Sequence, residues 1–306
     1  MKLAIVCIVR DEDRYLHEWI AHYLALGVDS FLFYNNESND ETSRILDECA
    51  QCLPLTHIPW QVPEGTSPQL SAYNDAIDRL RNADFAAFFD IDEFLVLKKG
   101  TPGLKQLITR LFATSKEYGA IVINQRLFGS SYLESAGNDP VLTRFPLCSE
   151  SNHYENKWVK SIYRINSVLR ITGIHSCPVS GGLHLHPSGL QAQFEINQYS
   201  GAEAFGQTLE IDHSCLQLNH YMTKSLEEFR KKQLKGGAAQ STRRERLSRF
   251  SEDYFHSRLS YANTTIDHDS IRLSKGSRSR TEWLAKYISN SIKKPSGATF
   301  GEPMQP

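Results

Sequence analysis

The chain has no apolar run of about 18 residues, the length a membrane-spanning helix needs. It also lacks an excess of charge of either sign. Lys and Arg number 34 against 35 Asp and Glu, for a net charge of −1. Without a basic excess there is no global attraction to nucleic acid, and no nucleic-acid partner is expected. Cysteine is sparse: six are scattered over 306 residues, and only Cys49-Ala50-Gln51-Cys52 has Cys-x-x-Cys spacing. No second pair completes a zinc site, so these read as incidental thiols of a reducing compartment. Both common phosphate loops are missing. No Gly-x-Gly-x-x-Gly follows the first apolar run, and no Gly-x-x-x-x-Gly-Lys occurs. A bound nucleotide would need another way to neutralise its phosphates.

What is present is an ordinary globular composition, 40% hydrophobic and 23% charged. Met1–Val9 is apolar but too short for a signal peptide, and Arg10-Asp11-Glu12-Asp13 follows at once. It reads as a strand buried on both faces, and the chain is expected to be cytoplasmic. Leu16, Trp19, Ile20, Tyr23 and Leu24 fall at helical spacing, with Gly27 as the stop. Phe31–Tyr34 is a second strand, and Ser38 or Asp40 can cap a helix over 41–51. A strand near 55–58, a helix near 69–81 and a strand at 85–89 follow. This alternation predicts an α/β fold with a mostly parallel sheet covered by helices on both faces. Helices are expected again at 103–113, 224–235 and 242–258, with a strand at 120–124.

The strand at 85–89 runs directly into Asp90-Ile91-Asp92-Glu93. Burying charges is costly unless they are paired or bound to a metal. The C-terminal ends of parallel strands are also where α/β proteins bind ligands. Asp-x-Asp at that position suits a divalent cation holding a diphosphate, which supplies the neutralising part that the absent loops do not. Against this stands a plain capping cluster of acids.

Several blocks, taken in order, resemble the GT-A glycosyltransferases of the family 2-like and family 92 group. Arg10-Asp11-Glu12 with Glu18-Trp19 is similar to the opening Arg-Asn-Glu and Glu-Trp of that group, with Asp11 in place of the usual asparagine. Tyr34-Asn35-Asn36-Glu37-Ser38-Asn39-Asp40-Glu41-Thr42 resembles its polar turn. Asp90-Ile91-Asp92-Glu93-Phe94, Phe128-Gly129-Ser130-Ser131, Lys160-Ser161-Ile162-Tyr163-Arg164 with His175, and Asn219-His220-Tyr221 through Lys224 to Phe229 match later blocks. The matches span about residues 5–235. The resemblance implies a GT-A-like fold and a transferase using a nucleotide-sugar donor and a divalent cation, manganese or magnesium. For family 92 it implies inversion at the anomeric carbon and often UDP-galactose.

By that pattern Asp90 would sit near the nucleotide ribose and Asp92 would bind the metal. Glu93 would support the acids or be structural. Arg10 and Glu12 lie at the ligand edge after the first strand; Arg10 could contact phosphate or pair with Glu12 or Asp92. Asn35 and Asp40 follow the second strand, where such folds contact a base, although Asp40 could equally cap a helix. Lys160 and Lys224 are candidate cations near the diphosphate. His175 and His220 are the candidate histidine ligands, since imidazole suits manganese beside carboxylates. His184 and His186 have strand spacing and read as a hydrogen-bonded surface pair. An inverting transfer needs a general base, and Glu150, in a polar loop before Lys160, is the residue chosen. The basic residues between 230 and 249 could touch anionic lipid, with a solvated helix surface as the simpler reading.

The sequence thus predicts a GT-A-like domain over 1–235, a helical extension over 236–292 and a disordered tail over 293–306. It would move a sugar to a hydroxyl of a glycan or lipid-linked acceptor at the inner face of a membrane. The rivals are a nucleotidyltransferase and a non-catalytic binding protein on a decayed transferase scaffold. The missing Gly-rich loop speaks against the first, and the intact Asp90-Ile91-Asp92 against the second.

Overall fold

The computed structural model describes residues 1–199, 201–235 and 251–292. The expected start of the helix at 242–258, the basic residues Arg243, Arg244, Arg246 and Arg249, and the expected tail over 293–306 lie outside them.

β1 (Leu3–Val9) is buried along its whole length, as a continuous apolar run requires. α1 (Asp13–Ala25) buries Leu16, Trp19, Ile20 and Tyr23. It ends before Gly27, whose φ of +86° is the left-handed geometry that favours glycine. β2 (Ser30–Asn35), α2 (Thr42–Ala50) and β3 (Leu55–Pro59) follow. α3 (Pro68–Arg79) opens with Ser67 capping the Leu70 N–H and with Pro68 in the first turn. β4 (Phe85–Phe88) ends at the acids, and the chain returns as β5 (Glu93–Leu97). Next come α4 (Leu104–Phe112), β6 (Tyr118–Leu127), α5 (Val141–Arg144), β7 (Leu147–Cys148), β8 (Val159–Arg164) and β9 (Leu183–Leu185). β10 (Phe194–Ile196), β11 (Glu203–Thr208), β12 (Leu216–His220) and α6 (Leu226–Lys235) complete the first described stretch. α7 (Glu252–Ala262), β13 (Thr265–Ile266), α8 (His268–Ser274) and α9 (Ser277–Ile292) make the second.

The main sheet runs β3-β2-β1-β4-β8-β6-β12-β5, with β9 also paired to β6. β1 to β4 are parallel; β8 is antiparallel to both β4 and β6; β12 is parallel to β6; β5 is antiparallel to β12. The sheet is therefore mixed but mostly parallel, and the α/β, GT-A-like arrangement expected from the sequence is the one observed. Alternation along β1 sets its two faces. Leu3, Ile5, Cys7 and Val9 pack in one core beneath α1 and α4. Ala4, Val6 and Ile8 pack in the other, with Tyr73, Ala76 and Ile77 of α3.

The last helix shares this core, while Phe255 of α7 packs in a separate cluster with Met222 and Phe229. Leu284 and Ile288 of α9 join the cluster that holds Trp19 and Ile20. Asp267, ahead of α8, pairs with Arg126 of β6 and with Lys98. Among the described residues no helix is long and apolar enough to cross a membrane.

Because β1, β2, β4, β6 and β12 all point the same way, their C-terminal ends meet at one edge. That edge gathers Arg10, Asn35, the acids and His220.

Candidate active site

Asp90 and Asp92 lie in the tight turn between β4 and β5. Trp19 pins that turn by donating to the carbonyls of Asp90 and Glu93, at 3.1 and 3.0 Å. The Asp90 carboxylate accepts from Gln69 at 2.7 Å and Tyr73 at 3.1 Å on one oxygen, and from Lys160 at 2.9 Å on the other. Lys160 is buried, with a side chain 2% exposed, and lies 3.8 Å from Glu93. Burial opposes its charge, but Asp90 and Glu93 raise its pKa above the usual lysine range. Glu93 accepts the Asp90 N–H at 2.9 Å, and burial pushes its carboxyl well up, against Lys160.

Asp92 is held differently. One oxygen accepts from Lys232 of α6 at 2.6 Å; the other faces Nε2 of His220 at 3.6 Å. Burial works against ionisation, but Lys232, His220 and Lys224 hold the carboxyl far below the usual range. His220 is the informative partner. Gln125 donates through its amide nitrogen to the Glu155 carbonyl at 2.9 Å, so its oxygen faces His220 Nδ1 at 2.8 Å. Nδ1 therefore carries the proton in the neutral ring, and the Nε2 lone pair points at the Asp92 carboxylate. Burial lowers the pKa of His220 to about 4, so the neutral ring prevails near neutral pH. Two lone pairs facing each other are what a cation between them would satisfy. The amide on the far side of the imidazole is the support that metal-binding histidines usually have. The donor pair fits a hard divalent cation that takes its remaining ligands from phosphate and water. No group of three or more His, Cys, Asp or Glu side chains with metal-binding spacing occurs among the described residues.

Beside the acids, β1 and α6 wall a cavity of about 500 Å³, lined among others by Arg10, Glu12, Lys224, Lys232 and Lys235. Lys235 pairs with Glu12 and donates to the Asp11 carbonyl at 3.1 Å. Lys224 has a φ of +52°, and its ammonium sits 4.2 Å from the Tyr15 ring centroid. Burial lowers its pKa, opposed by Asp92 and Glu12. Arg10 Nε and Glu12 Oε2 are buried with no hydrogen-bond partner among the described residues. A smaller cavity joins Arg10 to Asn36, Glu37 and Pro63. The acids Asp11, Asp13, Asp40 and Glu228 line this cleft as well, so its walls carry both signs of charge, with Lys224 and Lys232 at the end nearest Asp92.

The family model of glycosyltransferase family 92 matches residues 4–235. The chain belongs to glycosyltransferase family 92. A family 92 protein of Ricinus communis is 27% identical over 148 residues, 46% of this chain and 25% of that one. A family 92 protein of Oryza sativa subsp. japonica is 27% identical over 94 residues, 30% of this chain and 16% of that one. The matched segment thus spans a quarter or less of those relatives. Among solved structures, S. aureus TarS 1–349 aligns with a TM-score of 0.41 and 12% identity, over 96% of this chain and 91% of that one. Glucosyl-3-phosphoglycerate synthase of Mycobacterium tuberculosis, in complex with Mn2+, UDP and glucosyl-3-phosphoglycerate, aligns with a TM-score of 0.30 and 12% identity, over 54% and 57%.

The structure brings some of the expected family 92 site residues together and leaves others apart. Asp90, Asp92, Lys160, Lys224 and His220 meet at one edge, with Arg10 and Glu12 across the cleft. Asn35 spends its side chain on the turn after β2: it donates to Ser43 at 2.6 Å and accepts from the Ser38 N–H at 3.2 Å. Asp40 accepts the N–H groups of Thr42 at 2.9 Å and Asp13 at 3.1 Å, tying together the starts of α2 and α1. The helix-capping reading of Asp40 accounts for both its oxygens. His175 faces the Val159 carbonyl at 3.2 Å and packs against Trp158. It feels the charges of Lys160, Asp90 and His220, and burial lowers its pKa to about 3, but it makes no direct contact with Asp92. Glu150 is exposed in the turn after β7, where its carbonyl, not its carboxylate, holds Asn156 at 2.8 Å. No contact among the described residues ties its side chain to the acids.

Two sequence expectations need correction. His184 and His186 are not a surface pair: both are buried, and His184 is bonded to the Cys177 carbonyl at 3.0 Å. In the described part of the basic 230–249 stretch, Arg230 and Lys231 are exposed, as a solvated surface requires, and pair with Glu252 and Glu227. Lys232 and Lys235 depart from that reading and turn inward to Asp92 and Glu12. Lys232 is thus a site residue that sequence reasoning missed. The signal was there: Ser225, Glu228, Phe229 and Lys232 fall at helical spacing, and the first three are buried.

Proposed function

We propose that this chain moves a sugar from a nucleotide diphosphate sugar, UDP-sugar favoured, to a hydroxyl of a glycan or glycolipid, with inversion. The observation that carries the reading is the facing pair of Asp92 and His220, with Lys232 and Lys224 close to Asp92, in a family 92 chain. The UDP preference and the inversion rest on the family resemblance. Asp92 and His220 would hold a manganese or magnesium ion. Bound there, the ion would offset charge on the departing diphosphate.

The chain's own groups carry the rest. Lys232 and Lys224 bring positive charge to the same cleft, where it opposes charge developing on the leaving group. Asp90, fixed by Gln69, Tyr73 and Lys160, would orient the donor.

Titration calorimetry with UDP, GDP and CMP, with and without manganese, tests this. The expected result is binding of one nucleotide, UDP first, weakened at least about ten-fold without manganese and lost in Asp92→Asn. Absence of binding to all three would favour a non-catalytic protein. Release of pyrophosphate from a nucleoside triphosphate would favour a nucleotidyltransferase.

A further inference from the structure

A second concavity, of about 410 Å³, opens beside the acids on the side away from Arg10. Its wall includes Trp158, Thr172, His175, Ser176, Phe205 and Gly206. We propose that it is the acceptor subsite, and that it takes a pyranose ring of the glycan that receives the sugar. This inference rests on the transfer reading above.

Position is the first argument. Trp158 immediately precedes β8, and β8 is antiparallel to β4 with Ala87 opposite Ile162. The start of β8 therefore lies level with the acids, and Lys160, two residues beyond Trp158, grips Asp90. One cleft borders β1 and α6, and the Trp158 groove borders the start of β8. A displacement that inverts the anomeric carbon needs its acceptor opposite the leaving diphosphate, so with the diphosphate in the first cavity the acceptor would occupy the second.

Chemistry is the second argument. A pyranose presents apolar C–H faces rimmed by hydroxyls, which suits an aromatic wall with a few fixed polar groups. Trp158 supplies the aromatic wall, with the His175 ring centroid 4.5 Å away. The Val159 carbonyl can only accept, so Nδ1 of His175 carries the proton of the neutral ring. Its Nε2 is then an acceptor for a sugar hydroxyl, with no hydrogen-bond partner among the described residues. Ser176 is held in place by a 2.9 Å bond from Ser161.

The opposite wall packs closely on Trp158. β10 and β11 form a two-stranded ribbon outside the main sheet, linked to the start of β8 by one bridge between Trp158 and Gln207. At Gly206 an added Cβ would come within 2.6 Å of the Trp158 ring, so only glycine lets the ribbon backbone lie this close to the indole.

Saturation-transfer NMR on the full chain, with UDP and manganese present, tests the groove. The probes are the methyl glycosides of glucose, galactose and mannose. The expected result is saturation of at least one glycoside, weakened about ten-fold in affinity by Trp158→Ala, with UDP affinity unchanged. Thr172→Arg obstructs the groove from an exposed position and should act likewise without touching the core. Glycoside binding that survives both substitutions overturns the proposal, as does a wild-type chain that binds UDP but none of the glycosides. If the wild type binds no nucleotide, the transferase reading fails instead. A glycoside signal that Trp158→Ala removes would then still place a sugar in this groove.

Discussion

Asp92 carries one charge between two unlike neighbours, a lysine ammonium and an imidazole lone pair. Breaking a buried ion pair from one side leaves the other charge without a partner, which costs about 3–5 kcal/mol when burial is complete. Lys232 keeps 20% of its side-chain exposure, so water recovers part of that cost. Lys232→Met should therefore destabilise the fold by about 2 kcal/mol, read as a shift in the urea midpoint at unchanged slope. It should also sharpen the response to metal, because the Asp92 charge then lacks its ammonium. Manganese should raise the melting temperature more in Lys232→Met than in the wild type. An equal shift in both would show that Lys232 and the cation do not share Asp92. At this scale the sequence was readable where a motif ran along the chain, as in Asp90-Ile91-Asp92. It did not announce the backbone at Asp11, whose φ of +53° suits aspartate as well as the asparagine usual in the family. It was opaque where a partner came from far away, since Lys232 and Asp92 are 140 residues apart.

The elements that were legible are those with one unbroken pattern. β1 and β4 are continuous apolar runs, β2 has an apolar centre at Phe31–Tyr34, and α1 carries helical spacing up to its stop at Gly27. β5 was missed because the acids that matter chemically also hide the start of the strand: Glu93 looks like loop but pairs with His220 of β12. The short strands β9 to β11 lack the length for a clear period. The expected boundary after residue 235 raises a separate question, because α9 supplies core residues to α1. Ser277 at its start donates to Glu18 at 2.9 Å, and Glu18 also accepts the N–H groups of Val141 and Leu142. Leu284 is fully buried, so Leu284→Ala should cost about 2–5 kcal/mol by cavity formation. Leu234 of α6 is 81% exposed, and Leu234→Ala should change stability by less than about 0.5 kcal/mol. By the same reasoning a polypeptide ending at residue 235 should show no cooperative melting by circular dichroism. A cooperative transition in that fragment would establish 1–235 as a domain by itself.

Across the whole molecule the histidines give stability a pH dependence. His22 is buried, its Nε2 is 2.9 Å from the Leu95 carbonyl, and burial lowers its pKa to about 3, with Arg280 adding to the effect. His184 is buried against the Cys177 carbonyl, and burial lowers its pKa to about 4. Half-buried His213 is lowered to about 4 by the same cause, with solvent screening its share. An unfolded histidine titrates near about 6.5. Below that value the unfolded chain takes up protons that the folded chain refuses, so it binds more protons and stability falls with pH. The contribution is fully present above about pH 6.5 and drains away as the pH drops toward the folded values of about 3 to 4. Each fully buried ring contributes at most about 1.4 kcal/mol per pH unit in this window. His22 and His184 together could then remove about 4 kcal/mol by pH 5, a large share of the 5–15 kcal/mol typical of a folded domain. Paired carboxylates such as Asp92 add their loss only at lower pH, because their folded values are depressed from an already low start. Urea midpoints should therefore fall clearly between about pH 7 and 5.5, before depressed carboxylates such as Asp92 titrate, with the raised carboxyl of Glu93 acting in the opposite sense. His184→Gln places a non-titrating side chain at one of these sites and should flatten the fall, at some cost in stability near neutral pH. A midpoint that stays level down to pH 5 would mean that these rings accept protons inside the folded chain, and that burial does not hold them neutral against the carbonyl contacts at Leu95 and Cys177, which favour the charged ring.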